Sequence, residues 1–108
     1  MSLGYLTEQP TRAEVDALDG ATVVEFGANW CGICAAAKSD IDAALERTGL
    51  RRIKAEDAKG RPLGRSFGVK LWPTLVLLRD GEEVGRVVRP SNREQVERAL
   101  ADAGLVAG

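Results

Sequence analysis

The sequence predicts an α/β domain: a central mixed β-sheet of about four or five strands flanked by about four helices. Three observations lead there. Segments of helical periodicity alternate with short runs of β-branched and apolar residues. Two of those runs are joined by Asp80-Gly81, a hairpin signal that makes the last pair of strands antiparallel. The 108 residues, 44% apolar and 29% charged, suit one globular domain with its own core, spanning residues 1–108. No internal repeat, low-complexity tract or linker divides it.

The elements follow in order. A short strand is expected near Tyr5. Thr11 and Glu14 stand at capping-box spacing after Pro10 and open a short helix, which Asp19-Gly20 breaks. "ATVVEFGA" then reads as a strand buried on both faces. From Gly32 to about Arg47 the pattern is helical, with Ile33, Ala36, Ala37, Ile41, Ala44 and Leu45 at helical spacing. Thr48-Gly49 stops it. "LRRIKAE" is a second strand. The polar stretch from Asp57 to Gly68 has room for one short helix over Pro62 to Ser66. "TLVLL" is a third strand, and "EEVGRVVR" returns beside it as an edge strand. Ser91 and Glu94 form another capping box and open a last helix, its inner face Val96, Ala99, Leu100 and Ala103.

Fifteen basic residues against sixteen acidic leave a formal charge of −1, which gives no electrostatic case for nucleic acid or an anionic membrane. No apolar run approaches the roughly 20 residues that span a bilayer. The N-terminus lacks the basic start and apolar stretch of a signal peptide, and Met1-Ser2-Leu3 is compatible with an added start in place of native residues. A cytoplasmic location is expected, where thiols are kept reduced.

Chemistry is concentrated in "EFGANWCGICAAAK", which holds the only two cysteines, Cys31 and Cys34. A structural zinc site wants about four cysteine or histidine ligands. Two cysteines and no histidine supply half of one, so only a metal shared by two copies remains. Haem attachment would need histidine after Cys34, where Ala35 stands. A disulfide closing so short a loop would gain only about 2 kcal/mol, less any strain. A dithiol reaction centre fits better. Cys31 lies where a strand feeds a helix, so its sulfur meets unpaired N–H groups and the positive end of the helix dipole. Both favour thiolate, the nucleophilic form. Cys34 lies one turn along, close enough to attack a mixed disulfide at Cys31, and Gly32 leaves room for a substrate backbone. Glu25, inside "VVEF", is out of place among apolar residues. If buried it must be neutral, paired or wet, and desolvation would raise its pKa. If it is exposed, it faces solvent at a sheet edge.

"VVEFGANWCGIC", followed by "WPTLVLLRDGEEVGR", resembles the thioredoxin superfamily over nearly the whole chain. The resemblance implies the thioredoxin fold and dithiol–disulfide exchange with disulfide-containing proteins. Cys31 would be the nucleophile and Cys34 the resolving thiol. It places Glu25 where an aspartate beneath the second cysteine relays its proton through water. Pro73 would be cis and face the thiols, with the Trp72 backbone free to pair with an extended substrate. Trp30 would cover the Cys31 thiol or serve as a partly buried anchor. Electrons would come from a thioredoxin-reductase-like donor, a flavin enzyme using NADPH. No cofactor or metal is implied beyond the Cys31–Cys34 pair, and a monomer is expected.

Four departures distinguish this chain. Ile33 and Ala35 stand where proline and lysine are common, Trp72 where an aliphatic residue is usual, and Arg89 near a usual glycine. Trp30, Gly32, Ile33, Trp72, Pro73 and Arg89 are the expected substrate-facing set. Lys54 is the candidate for the lysine that often neighbours the buried acid. Two other readings stay open. One is a peptide-binding module or redox switch with few clients, which Trp72 and Arg89 favour. The other is an exported disulfide oxidant or isomerase.

Overall fold

The computed structural model describes residues 4–58 and 61–107; Met1 to Leu3, with the question of an added start, lie outside the described residues. The elements are α1 (Arg12–Asp16), β1 (Ala21–Gly27), α2 (Gly32–Leu45), β2 (Arg51–Glu56), α3 (Pro62–Ser66), β3 (Thr74–Arg79), β4 (Glu82–Val88) and α4 (Arg93–Asp102). The strand order is β2-β1-β3-β4. β1 runs parallel to β2 and antiparallel to β3, and β4 is the antiparallel edge beyond β3. This is the predicted mixed sheet. The strand expected near Tyr5 is a single bridge: Leu6 pairs in parallel with Ala55 on the outer side of β2.

Local chemistry explains the boundaries. Thr11 and Glu14 exchange both bonds of the capping box. α2 stops at Leu45, and Gly49 beyond it takes a φ of 71°. Pro62 occupies the first turn of α3, where its missing N–H costs nothing. At the hairpin, Asp80 and Gly81 both have positive φ, 51° and 82°, as the tight turn between right-twisted strands requires. A side chain at Gly81 would also run into the Asp16 carbonyl.

Two expectations are corrected. The cap of α4 is Asn92, whose side chain accepts from the Gln95 N–H at 2.9 Å; Ser91 instead gives its N–H to the Gln95 side chain at 2.8 Å. On α2, Ile33 and Ala36 are exposed, and the buried stripe is Cys34, Ala37, Ile41, Ala44 and Leu45. At about 3.6 residues per turn, Ile33 falls at the edge of that stripe and Ala36 beyond it.

Alternation along β1 sends Val23 and Glu25 to one face and Val24 and Phe26 to the other. The Val23 face packs with Leu75 and Leu77 against Ile41 of α2 and Val96 and Leu100 of α4. The Val24 face packs with Val76 and Leu78 against Val15, Leu63 and Phe67. Both faces of β1 are therefore buried, and Glu25 points to the side that α2 covers. Among the described residues no helix is long and apolar enough to cross a membrane.

The shifted cap is directly testable. Asn92→Ala should cost about 1 kcal/mol in chemical denaturation, and Ser91→Ala less than about 0.5 kcal/mol. The reverse order would restore Ser91 as the cap.

Candidate active site

β1 ends at Gly27, and the chain turns at once into α2. The Cys31 N–H bonds the Ala28 carbonyl at 3.1 Å. Cys31 is the N-cap of α2 in extended conformation, and its Sγ accepts the Cys34 backbone N–H at 3.2 Å. A thiol thus takes the place of the usual capping oxygen on one of the helix's unpaired donors. Both cysteines are free thiols, Cys31 partly exposed and Cys34 buried. Burial pushes the Cys34 thiol up to about 11, with the neighbouring Cys31 sulfur adding to it. Gly32 is exposed, and a side chain there would meet nothing within 4 Å, so the approach to Cys31 is open on that side.

Glu25 is 1% exposed, which excludes a place at the sheet edge. It is paired rather than surrounded by apolar groups. Arg52 reaches its Oε1 with Nη2 at 2.6 Å and Nε at 3.1 Å. The Tyr5 hydroxyl donates to Oε2 at 2.6 Å. Lys54 Nζ stands 4.0 Å from the same oxygen. Arg52 also reaches Asp42 of α2 at 2.8 Å, and Asp42 holds Lys38 at 2.7 Å. The β1–β2 register sets Lys54 beside Glu25, and period-2 alternation sets Arg52 on the same face. Lys54 is the expected lysine. Arg52 and Tyr5 had no local signal. Burial lowers the Lys54 pKa, with Glu25 opposing.

The second loop brings Trp72 and Pro73 to the same end of the sheet. Their peptide bond is cis, and Pro73 is buried. Trp30 packs edge-on against Trp72 with ring centroids 5.4 Å apart, joining the residue before Cys31 to the residue before Pro73. Trp30 is 71% exposed, so it is no buried anchor. The Trp72 indole N–H donates to Asp57 Oδ2 at 2.8 Å, and Asp57 lies against Gly64, where a side chain would collide with it. Burial raises the Asp57 pKa, with the indole bond opposing. Arg89 sits at φ 48°, in the region that favours glycine. Its N–H bonds the Pro73 carbonyl and its Nε the Trp72 carbonyl, both at 2.8 Å. Ile33, Leu71 and Val88 add exposed apolar surface on the adjoining segments. Among the described residues, no group of three or more His, Cys, Asp or Glu side chains could hold a metal ion.

The site can therefore present one accessible sulfur at a helix start, a second sulfur buried one turn on, and a charged cluster behind it. The raised Cys34 pKa has a stability consequence. The folded state keeps this proton while an unfolded thiol loses it above about pH 8.5, so stability should fall as pH rises from there through about 11. Denaturation from pH 7 to about 10.5 should show a shallower alkaline decline in Cys34→Ser than in the parent. Equal declines would place the titration elsewhere.

A thioredoxin family model matches residues 3–102. The thioredoxin of Chlamydia muridarum is 34% identical over 84 residues, 76% of this chain and 81% of that one. The thioredoxin of Porphyra purpurea is 26% identical over 102 residues, 93% of this chain and 95% of that one. The solved structure of reduced thioredoxin 2 from Pseudomonas aeruginosa superposes with a TM-score of 0.85 at 48% identity, covering 96% of this chain and 98% of that one. With the family model and these relatives running through most of its length, the protein belongs to the thioredoxin family, and its chemistry is thiol–disulfide exchange.

Proposed function

We propose that the chain works as a reductant of protein disulfides, with Cys31 as nucleophile and Cys34 as resolving thiol. One observation carries the reading: the accessible Cys31 sulfur caps the helix by accepting the Cys34 N–H at 3.2 Å, while the Cys34 thiol is buried. That division of exposure gives the two sulfurs successive tasks. Cys31 thiolate attacks one sulfur of a substrate disulfide, and the other sulfur leaves with the electron pair. Cys34, once deprotonated, attacks the Cys31 sulfur. The Cys31–Cys34 bond forms, the substrate's remaining sulfur is released, and the substrate has gained two electrons. Glu25, the charged group behind Cys34, takes its proton.

A thioredoxin-reductase-like flavin enzyme using NADPH returns the electrons, and no cofactor beyond the dithiol takes part. A cytoplasmic setting and action as a monomer belong to the same reading, since thiols are kept reduced there. Trp30, Gly32, Ile33, Trp72 and Pro73 form the substrate platform. Arg89 narrows it. Its guanidinium occupies the Trp72 carbonyl, an acceptor that an extended substrate would use in strand-like pairing. A client must displace that bond or bind without it.

Mass spectrometry after mixing with a disulfide-bonded protein tests these assignments. Cys34→Ser should accumulate a mixed disulfide at Cys31, and Cys31→Ser should form none. Arg89→Ala in the Cys34→Ser background should trap extended substrates faster, by about threefold to tenfold for one surface-exposed hydrogen bond. Trapping through Cys34 would reverse the assignment of the thiols, and an unchanged rate would remove Arg89 from substrate selection.

A further inference from the structure

Tyr5 lies outside both sequence motifs, yet its hydroxyl reaches the most enclosed part of the site. It donates to Glu25 Oε2 at 2.6 Å, with both groups buried. It also meets Cys34. A side-chain carbon at Gly27 would stand 2.8 Å from Tyr5 Oη and 2.9 Å from Cys34 Sγ, so the missing side chain leaves the notch in which hydroxyl and thiol converge. Tyr5 and Cys34 also line the same small pocket. We propose that the Tyr5 hydroxyl is the proton conduit from Cys34 to Glu25. The proposal rests on the reading of Glu25 as the proton acceptor.

The tyrosine is seated for such a task. Asn29 clamps its backbone from both sides, accepting its N–H at 2.7 Å and donating to its carbonyl at 3.1 Å. The next residue, Leu6, is bonded into β2 at 2.9 and 3.0 Å. Lys54 Nζ lies 4.6 Å from the ring centroid. The charged and titratable groups facing the cluster are Glu25 from β1, Arg52 and Lys54 from β2, and Cys31, Lys38 and Asp42 from the helix start and α2. A pocket of about 200 Å³, lined by Tyr5, Cys34, Lys38 and Lys54 among others, lies beside them.

A phenol carries one proton and accepts through its lone pairs. With its O–H directed at Glu25 Oε2, a lone pair is left to accept from the Cys34 S–H. Arg52 holds Oε1, so Oε2 is the oxygen that receives. In the relay, the Cys34 proton passes to Tyr5 Oη as the Tyr5 proton passes to Oε2. One proton has moved from sulfur to carboxylate, and Tyr5 is neutral before and after. Burial and the adjacent carboxylate hold the Tyr5 pKa well above its ordinary value, so Tyr5 passes a proton only as it gains one. The Cys34 thiolate then attacks Cys31 of the mixed disulfide, and the proton on Glu25 returns to solvent.

The test follows the reduced 108-residue protein in excess dithiobis(nitrobenzoate) by stopped flow. The first thionitrobenzoate reports attack by Cys31, and the second reports its displacement by Cys34. The parent's second phase should vary little between about pH 6 and 8. Tyr5→Phe keeps the ring and should slow that phase about tenfold or more at pH 7, with a new rise approaching tenfold per pH unit as thiolate forms without help. Glu25→Gln should do the same, and the double variant should be no slower than either. Gly27→Ala, whose methyl group would fill the notch, should reproduce Tyr5→Phe. Three results would overturn the conduit: a parent-like Tyr5→Phe beside a slow Glu25→Gln, which leaves Glu25 as acceptor; a slowed Tyr5→Phe with an unchanged pH profile, which means packing only; or additive effects in the double variant. Parent-like behaviour in both single variants would remove Tyr5 and Glu25 together.

Discussion

The carboxylate of Glu25 sets the terms for this end of the molecule. It sits on a strand with neighbours on both sides and packing on both faces, where an unpaired charge would cost several kcal/mol. Its partners come from two separate places. Arg52 and Lys54 arrive through the parallel register of β2, and Tyr5 arrives from the N-terminal segment. A one-residue slip of β2 would turn both cations to the other face. The need to satisfy one carboxylate thus fixes that register and seats Tyr5, while Arg52 ties the cluster on to Asp42 of α2.

That seating gives two chemically identical side chains different surroundings. Cys31 is half in water at a helix start, with a backbone N–H directed at its sulfur. Cys34 is three residues on, enclosed, and raised to about 11 by burial. The second loop completes the other side. Trp72 is held by Asp57 below and by Trp30 at its edge, and Arg89 lies over the Trp72 carbonyl. Arg89 takes a left-handed conformation at a cost of roughly 1–2 kcal/mol. Its two bonds to the Trp72–Pro73 segment offset that cost.

Most of the fold was legible because its signals are local. Short β-branched and apolar runs, the Thr11–Glu14 box, Pro62 at a helix start and Asp80-Gly81 each specify their own few residues. Local signals also explain two errors. "SNREQ" contains overlapping cap patterns, Ser91 with Glu94 and Asn92 with Gln95, and spacing alone does not choose between them. Ile33 has helical spacing but falls at the edge of the buried stripe of α2, so periodicity overstated its burial. The cysteine pair, Trp72-Pro73 and the misfit of Glu25 were readable from type and context. The partners of Glu25 were not. Nothing near Arg52 or Tyr5 announces an acid 27 or 20 residues away, because that proximity exists only once two strands and the N-terminal segment are in register.

The central claim is that this dithiol is a reducing centre, and its equilibrium potential tests it most directly. The protein would be equilibrated in glutathione buffers of graded ratio, quenched, and its Cys31–Cys34 bond counted by mass spectrometry. The account predicts a midpoint near the thioredoxin value of about −270 mV. A midpoint near about −120 mV, the range of a strong disulfide oxidant, would contradict it.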